Sequence, residues 1–134
     1  MEDEQKGTVL VVDDTPENVG VVFQHLEMAG FRVLIAQDGP NALRQAHNNR
    51  PDLILMDVRM PRMTGYDACR RLKEMESTRD IPIIFLSAKG QGQEIQTGLE
   101  VGAIDYILKP FTPTLLVERI NSLLAQLGKS GPTF

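Results

Sequence analysis

Five short apolar runs constrain this chain more than any other feature; they lie at residues 8–12, 32–36, 53–56, 83–86 and 106–108. Most are unbroken rather than alternating, and Val, Ile and Leu dominate them. A strand with one face in water alternates apolar and polar residues, whereas a strand covered on both faces has no polar side to show. The runs therefore predict a parallel sheet packed between helices.

The intervening segments carry the matching helical stripes. Val19, Val22, Phe23 and Leu26 follow i, i+3, i+4, i+7 spacing. Thr15-Pro16 ahead of them reads as N-cap and first-turn proline, and Gly30 as the stop. Ala42, Leu43 and Ala46 form a second stripe, ended before Pro51. Gly65, Ala68, Cys69 and Leu72 form a third with Thr64 as its cap, and Leu116, Ile120, Leu123, Leu124 and Leu127 form the last. Residues 91–101 are different: few apolar positions and an internal Gly98, which costs about 1 kcal/mol against alanine, predict a marginal helix and an element expected to move. Strand followed by helix, five times over, predicts an α/β fold with a doubly wound five-stranded parallel sheet.

Composition narrows the function. Fourteen basic residues against 18 acidic ones leave a formal charge of −4, which gives no electrostatic reason to expect nucleic acid or an anionic membrane as a direct partner. The single cysteine, Cys69, excludes an intramolecular disulfide and suits a reducing cytoplasm. The charged residues 1–6 have no apolar core of a secretory signal, and no apolar run nears the roughly 20 residues that span a bilayer. A cytoplasmic protein is expected.

Polar residues cluster at the ends of the runs: Asp13-Asp14 after the first, Asp57 after the third, Ser87 after the fourth and Lys109 after the fifth. Open α/β sheets bind ligands outside the carboxyl ends of their strands, near the point where strand order reverses. With an order of 2-1-3-4-5, Asp13, Asp14 and Asp57 share one cleft. Three carboxylates at close range repel unless a cation neutralises them, and oxygen donors favour a hard divalent ion such as magnesium. Lys109 adds a movable positive charge and Ser87 a hydroxyl donor. Together these groups suit phosphoryl transfer to an aspartate, where positioning and charge neutralisation do most of the catalysis. Singly, each has a duller reading as a helix cap, turn residue or solvated lysine; the specificity lies in their joint placement.

Rival chemistries on the same frame fit less well. The turn after the first run lacks G-x-G-x-x-G, and the segment Asp57-Val58-Arg59 lacks the second aspartate an aspartate-nucleophile phosphatase would use as its acid. His25 and His47 have no metal-ligand company, and Cys69 reads as a packing residue. An interaction module on the same frame that has lost any phosphoryl chemistry is opposed by the complete acidic set, the hydroxyl and the lysine.

On these residues the chain resembles the response-regulator receiver family of two-component signal transduction, over nearly all of residues 8–127. The matching stretches are VLVVDD (9–14), DLILMDVRMP (52–61), MTG (63–65), IIFLSA (83–88) and GAIDYILKPF (102–111). The resemblance implies a flavodoxin-like fold of strand order 2-1-3-4-5. It also implies a signalling domain, not an enzyme, with intrinsic autophosphorylation and autodephosphorylation chemistry. Asp57 is then the phosphoacceptor, assisted by Lys109 and Ser87. Asp14 and Asp57 would ligate magnesium directly, with the backbone carbonyl of Arg59, and Asp13 would act mostly through water. Ser87 and Tyr106 become the switch pair, and Lys109–Pro110 a cis peptide. The implied partners are a sensor histidine kinase or phosphotransfer protein and a downstream output domain or protein; a homodimer through the last helix is left open. Residues 1–7 read as an extension and 128–134 as a tail or linker. The sequence departs from the commonest pattern at Ile104, where the family often has an acidic residue. Arg59 and Lys89, two residues beyond Asp57 and Ser87, are long and basic, and are expected to crowd the attacking water and lengthen the phosphorylated lifetime.

Overall fold

All five runs form strands, and each is followed by a helix: β1 (Thr8–Val12), α1 (Pro16–Met28), β2 (Arg32–Ala36), α2 (Gly39–Asn49), β3 (Leu53–Asp57), α3 (Gly65–Glu74), β4 (Ile83–Ser87), α4 (Gly92–Glu100), β5 (Asp105–Leu108) and α5 (Pro113–Gln126). The computed structural model describes residues 7–60, 62–88 and 92–127, the side chains of Pro16 and Asn18 excepted. The expected extension, up to residue 6, and the expected tail at 128–134 lie outside the described residues. Every ladder is parallel and the order is β2-β1-β3-β4-β5, as expected. Leu10 of β1 pairs with Leu34 on one side and Ile54 on the other.

Because successive strand residues point to opposite faces, the sheet sorts its apolar side chains into two cores. Val9, Val11, Leu53, Leu55, Ile84, Leu86 and Ile107 meet Val22 and Leu26 of α1 and Leu116, Ile120 and Leu124 of α5. Leu10, Val12, Ile54, Met56, Ile83, Phe85 and Tyr106 meet Ala42 and Ala46 of α2 and Ala68, Cys69 and Leu72 of α3. β3 and β4 are buried at every position, which explains their unbroken apolar sequences. Each fully buried leucine, such as Leu26 or Leu55, contributes about 1.5–3 kcal/mol relative to exposure.

Several local expectations are refined. Thr64 caps α3 by accepting from the Asp67 N–H at 3.1 Å. Thr15 occupies the N-cap position of α1, but its side chain makes no capping hydrogen bond; its hydroxyl turns to Asp14 instead. Gly30 adopts φ +101° just past the end of α1, a left-handed conformation that glycine takes without strain. Leu127, assigned to the α5 stripe, is 47% exposed. β3 and β4 each run one residue further than their apolar patterns, because Asp57 and Ser87 still pair in the ladders opposite Leu86 and Leu108.

The expected 91–101 helix is α4, with Gln91 outside the described residues. Its internal glycine has a packing reason. A Cβ on Gly98 would lie 3.0 Å from ring carbons of both Phe85 and Tyr106, so the glycine lets α4 approach β4 and β5 closely. Among the described residues, no helix is long and apolar enough to cross a membrane.

Candidate functional site

The polar groups collect at the carboxyl edge of the sheet because the strands that carry them are neighbours in register. The Asp13 N–H continues the ladder by donating to the Ala36 carbonyl at 3.1 Å. Its carboxylate then accepts from the Thr15 N–H at 2.9 Å, which folds the chain into α1. Asp57 closes the adjacent β3. Asp13, Asp14 and Asp57 each present a carboxylate oxygen within 4.8 Å of the others; Asp13 and Asp57 are buried and Asp14 is exposed. On the far side, the Lys109 N–H donates to the Ser87 carbonyl at 2.8 Å, drawing the ends of β4 and β5 together. The Lys109–Pro110 peptide is cis. The Lys109 ammonium stands 3.6 Å from Asp57 Oδ1 and 3.7 Å from Asp13 Oδ2. These separations are those of ion pairs rather than of short hydrogen bonds.

The structure thus brings Asp13, Asp14, Asp57, Lys109 and buried Ser87 to one edge. Arg59 follows with an exposed side chain, and its backbone N–H donates to the Asp57 carboxylate. Tyr106 lies two residues before the end of β5, with its ring buried in the α2–α3–α4 core. Lys89 and Pro61 lie outside the described residues.

The electrostatics leave room for a cation. Burial raises the Asp57 carboxyl above the usual carboxylate range; Lys109 opposes that, Asp13 reinforces it, the Arg59 N–H opposes it and Asp14 reinforces it again. One lysine shared between two carboxylates does not remove the cost of burying Asp57 as an anion. A divalent ion held by oxygen donors would, and all three acidic groups offer only oxygen. The acidic cluster can therefore hold a metal ion.

Two further residues shape the site in ways the sequence does not reveal. A Cβ on Gly65 would lie 3.0 Å from Val58 Cα and closer still to the Asp57 carbonyl oxygen. Glycine therefore lets the start of α3 close on the loop after Asp57, where the Gly65 N–H donates to the Val58 carbonyl at 2.8 Å. Its place in the α3 stripe looks like ordinary helix packing. Tyr66 donates its hydroxyl to the Glu94 carbonyl at 3.2 Å and stands 3.3 Å from the Tyr106 hydroxyl. Nothing in the α3 periodicity marks it, because its partner on β5 is 40 residues away.

Fold and site define a doubly wound α/β domain with an acidic, lysine-bearing pocket at its strand ends. The response regulator receiver domain family matches residues 9–121, and the chain belongs to that family. Among curated relatives, the phosphate regulon transcriptional regulatory protein PhoB of Pseudomonas aeruginosa is 45% identical over 121 residues, which is 90% of this chain and 53% of that protein. The response regulator PleD of Caulobacter vibrioides is 44% identical over 116 residues, 86% of this chain and 25% of PleD. The chain thus spans about half the length, or less, of these relatives. Solved structures agree over whole chains. The chemotaxis response regulator CheY4 of Vibrio cholerae superposes with a TM-score of 0.85 at 33% identity, covering 90% of this chain and all of the other. The receiver domain of sensor histidine kinase PA1611 from Pseudomonas aeruginosa, solved with a magnesium ion coordinated in its active site cleft, superposes with a TM-score of 0.82 at 35% identity, covering 89% of this chain and 98% of that one.

Proposed function

We propose that this receiver domain is switched by transfer of a phosphoryl group to Asp57, with magnesium as its cofactor. The observation that carries the reading is the geometry around Asp57: three carboxylate oxygens within 4.8 Å of one another and the Lys109 ammonium 3.6 Å from Asp57. Asp14 and Asp57, with the Arg59 carbonyl, would hold the ion, and Asp13 would act through water. When bound, magnesium supplies neutralising charge and a contact for a phosphoryl oxygen.

The donor is a phosphohistidine on a sensor histidine kinase or phosphotransfer protein. One oxygen of the Asp57 carboxylate attacks phosphorus in line, the bond from phosphorus to the imidazole nitrogen breaks, and the electron pair leaves with the imidazole. The product is an acyl phosphate. Lys109 exchanges its carboxylate partners for phosphoryl oxygens, and Ser87 donates its hydroxyl to another. The new group carries about −1.5 to −2 charges, and draws Ser87 and Lys109 inward. That displacement biases α4, β5 and α5 toward the state read by an output domain or separate output protein. Hydrolysis by water ends the cycle, and the long side chain of Arg59 slows it by crowding that water. A cytoplasmic location follows from the phosphohistidine partner.

The test is phosphoryl uptake from a phosphohistidine mimic such as phosphoramidate, with and without magnesium. The parent gains an acyl phosphate only with the ion, and Asp57→Asn gains none. Equal uptake by Asp57→Asn would remove Asp57 as acceptor.

A further inference from the structure

The ring of Tyr106 occupies a seat built by three elements, and its rim is polar. Phe85 of β4 lies beside it with ring centroids 6.1 Å apart. Gly98 of α4 leaves the space where a Cβ would press within 3.0 Å of the ring. At the tip stands Tyr66 of α3, its hydroxyl 3.3 Å from that of Tyr106. Tyr66 is itself held on two sides. Its ring meets Phe85 edge-on, at a 5.1 Å centroid separation and 71° between planes, and its hydroxyl proton goes to the Glu94 carbonyl on α4 at 3.2 Å. A carbonyl can only accept, so the Tyr66 oxygen is left to accept from the Tyr106 hydroxyl. Burial pushes the Tyr66 phenol above its ordinary pKa, so the hydroxyl keeps its proton at neutral pH.

We propose that Tyr66 is a positioning residue that latches Tyr106 inward and ties it to α4. A plain packing role would need only the ring. The hydroxyl adds direction: it links α3, α4 and β5 through one oxygen, and its bond to Tyr106 forms only when that ring points inward. The consequence for activation rests on the phosphoacceptor reading of Asp57. If phosphorylation draws Ser87 and Tyr106 toward the site, a latch that already favours the inward ring raises the apparent affinity for the phosphoryl group or its mimic. Loss of one neutral hydrogen bond corresponds to a population change of about three- to tenfold.

The chain has only two tyrosines, so uniform 3-fluorotyrosine labelling gives fluorine signals from this pair alone, and Tyr66→Phe leaves Tyr106 as the only reporter. In the magnesium-free parent the Tyr106 signal should show the small H2O-to-D2O isotope shift of a shielded ring. In Tyr66→Phe that shift should grow toward the value of the unfolded chain. Unlabelled protein titrated with beryllofluoride and magnesium should show affinity about three- to tenfold weaker in Tyr66→Phe, and the weakening should disappear in a Tyr106→Phe background. A Tyr106 ring as shielded in Tyr66→Phe as in the parent overturns the latch. So does an equal loss of affinity in the Tyr106→Phe background, which would mean packing alone. A parent that binds no beryllofluoride would instead overturn the phosphoacceptor reading and the activating role together, while the fluorine shift still decides whether the latch exists.

Discussion

An alanine at position 65 places a methyl carbon 3.0 Å from Val58 Cα and nearer still to the Asp57 carbonyl oxygen. Carbon pairs settle at about 3.5–4.0 Å, so α3 and the loop after β3 must part by roughly 0.5–1 Å. Both obstacles are main chain, which cannot rotate away as a flexible side chain would. Overpacking of this kind costs about 1–3 kcal/mol, while alanine in place of glycine returns up to about 1 kcal/mol of helix propensity. Gly20 provides the internal control: it lies on the exposed side of α1, and a Cβ added there would meet nothing within 4 Å. Gly20→Ala should therefore stabilise by up to about 1 kcal/mol, and the gap between the two variants, about 1–3 kcal/mol, isolates the steric cost. Urea unfolding of both variants measures that gap. The proposed phosphoryl transfer to Asp57 should suffer as well, because a misplacement near 1 Å can lower a rate up to about a hundredfold; phosphoryl uptake from phosphoramidate reads it. Equal unfolding midpoints for the two variants, or parental uptake by Gly65→Ala, would refute the claim that close approach of α3 shapes the loop.

Other consequences are open to measurement. Asp57 has a folded-state pKa above its unfolded value of 3.8, so its contribution to stability is fully present below that value and is lost as pH rises through the folded pKa. Without magnesium, Asp57→Asn should thus be more stable than the parent at pH 7, with the difference shrinking on acidification toward pH 3.8; a parent that is the more stable protein at pH 7 contradicts this. Cys69 is buried and its thiol is pushed up to about 11, so at pH 8 a thiol reagent should label it only as fast as the fold opens, and rapid labelling in native buffer would show the site to be accessible. Arg59→Ala should shorten the acyl-phosphate lifetime several-fold, as followed by loss of protein-bound phosphate after removal of the donor. An unchanged lifetime would mean that the exposed arginine does not obstruct water.

The strands were the most legible part of the sequence because burial on both faces leaves a signal that needs no partner to interpret: β3 and β4 are unbroken apolar runs and are buried throughout. The acidic pair, Asp57, Ser87 and Lys109 were legible for a related reason, since each stands where such a run stops. What escaped depends on distance through space. Gly65 reads as one more small residue of α3 until the loop after β3 is laid against it. Tyr66 shows nothing until Tyr106, 40 residues away, is brought to its hydroxyl. Gly98 stands out as a helix weakness, but its reason lies in two aromatic rings on β4 and β5. Thr15 has the residue type and position of a cap, yet Asp13 takes the Thr15 N–H and the threonine hydroxyl turns to Asp14, a local competition that type alone does not reveal.

The pairing of β1 with both β2 and β3 has a consequence for where chemistry can sit. Sliding β1 by a single residue would trade its two covered faces, sending Val9 and Val11 toward α2 and α3 and Leu10 and Val12 toward α1 and α5. Aliphatic shape therefore locks the alignment, and the carboxylates ride at the end of a ruler they did not cut. Amides at all three acidic positions should leave the architecture standing while abolishing the proposed phosphoryl uptake.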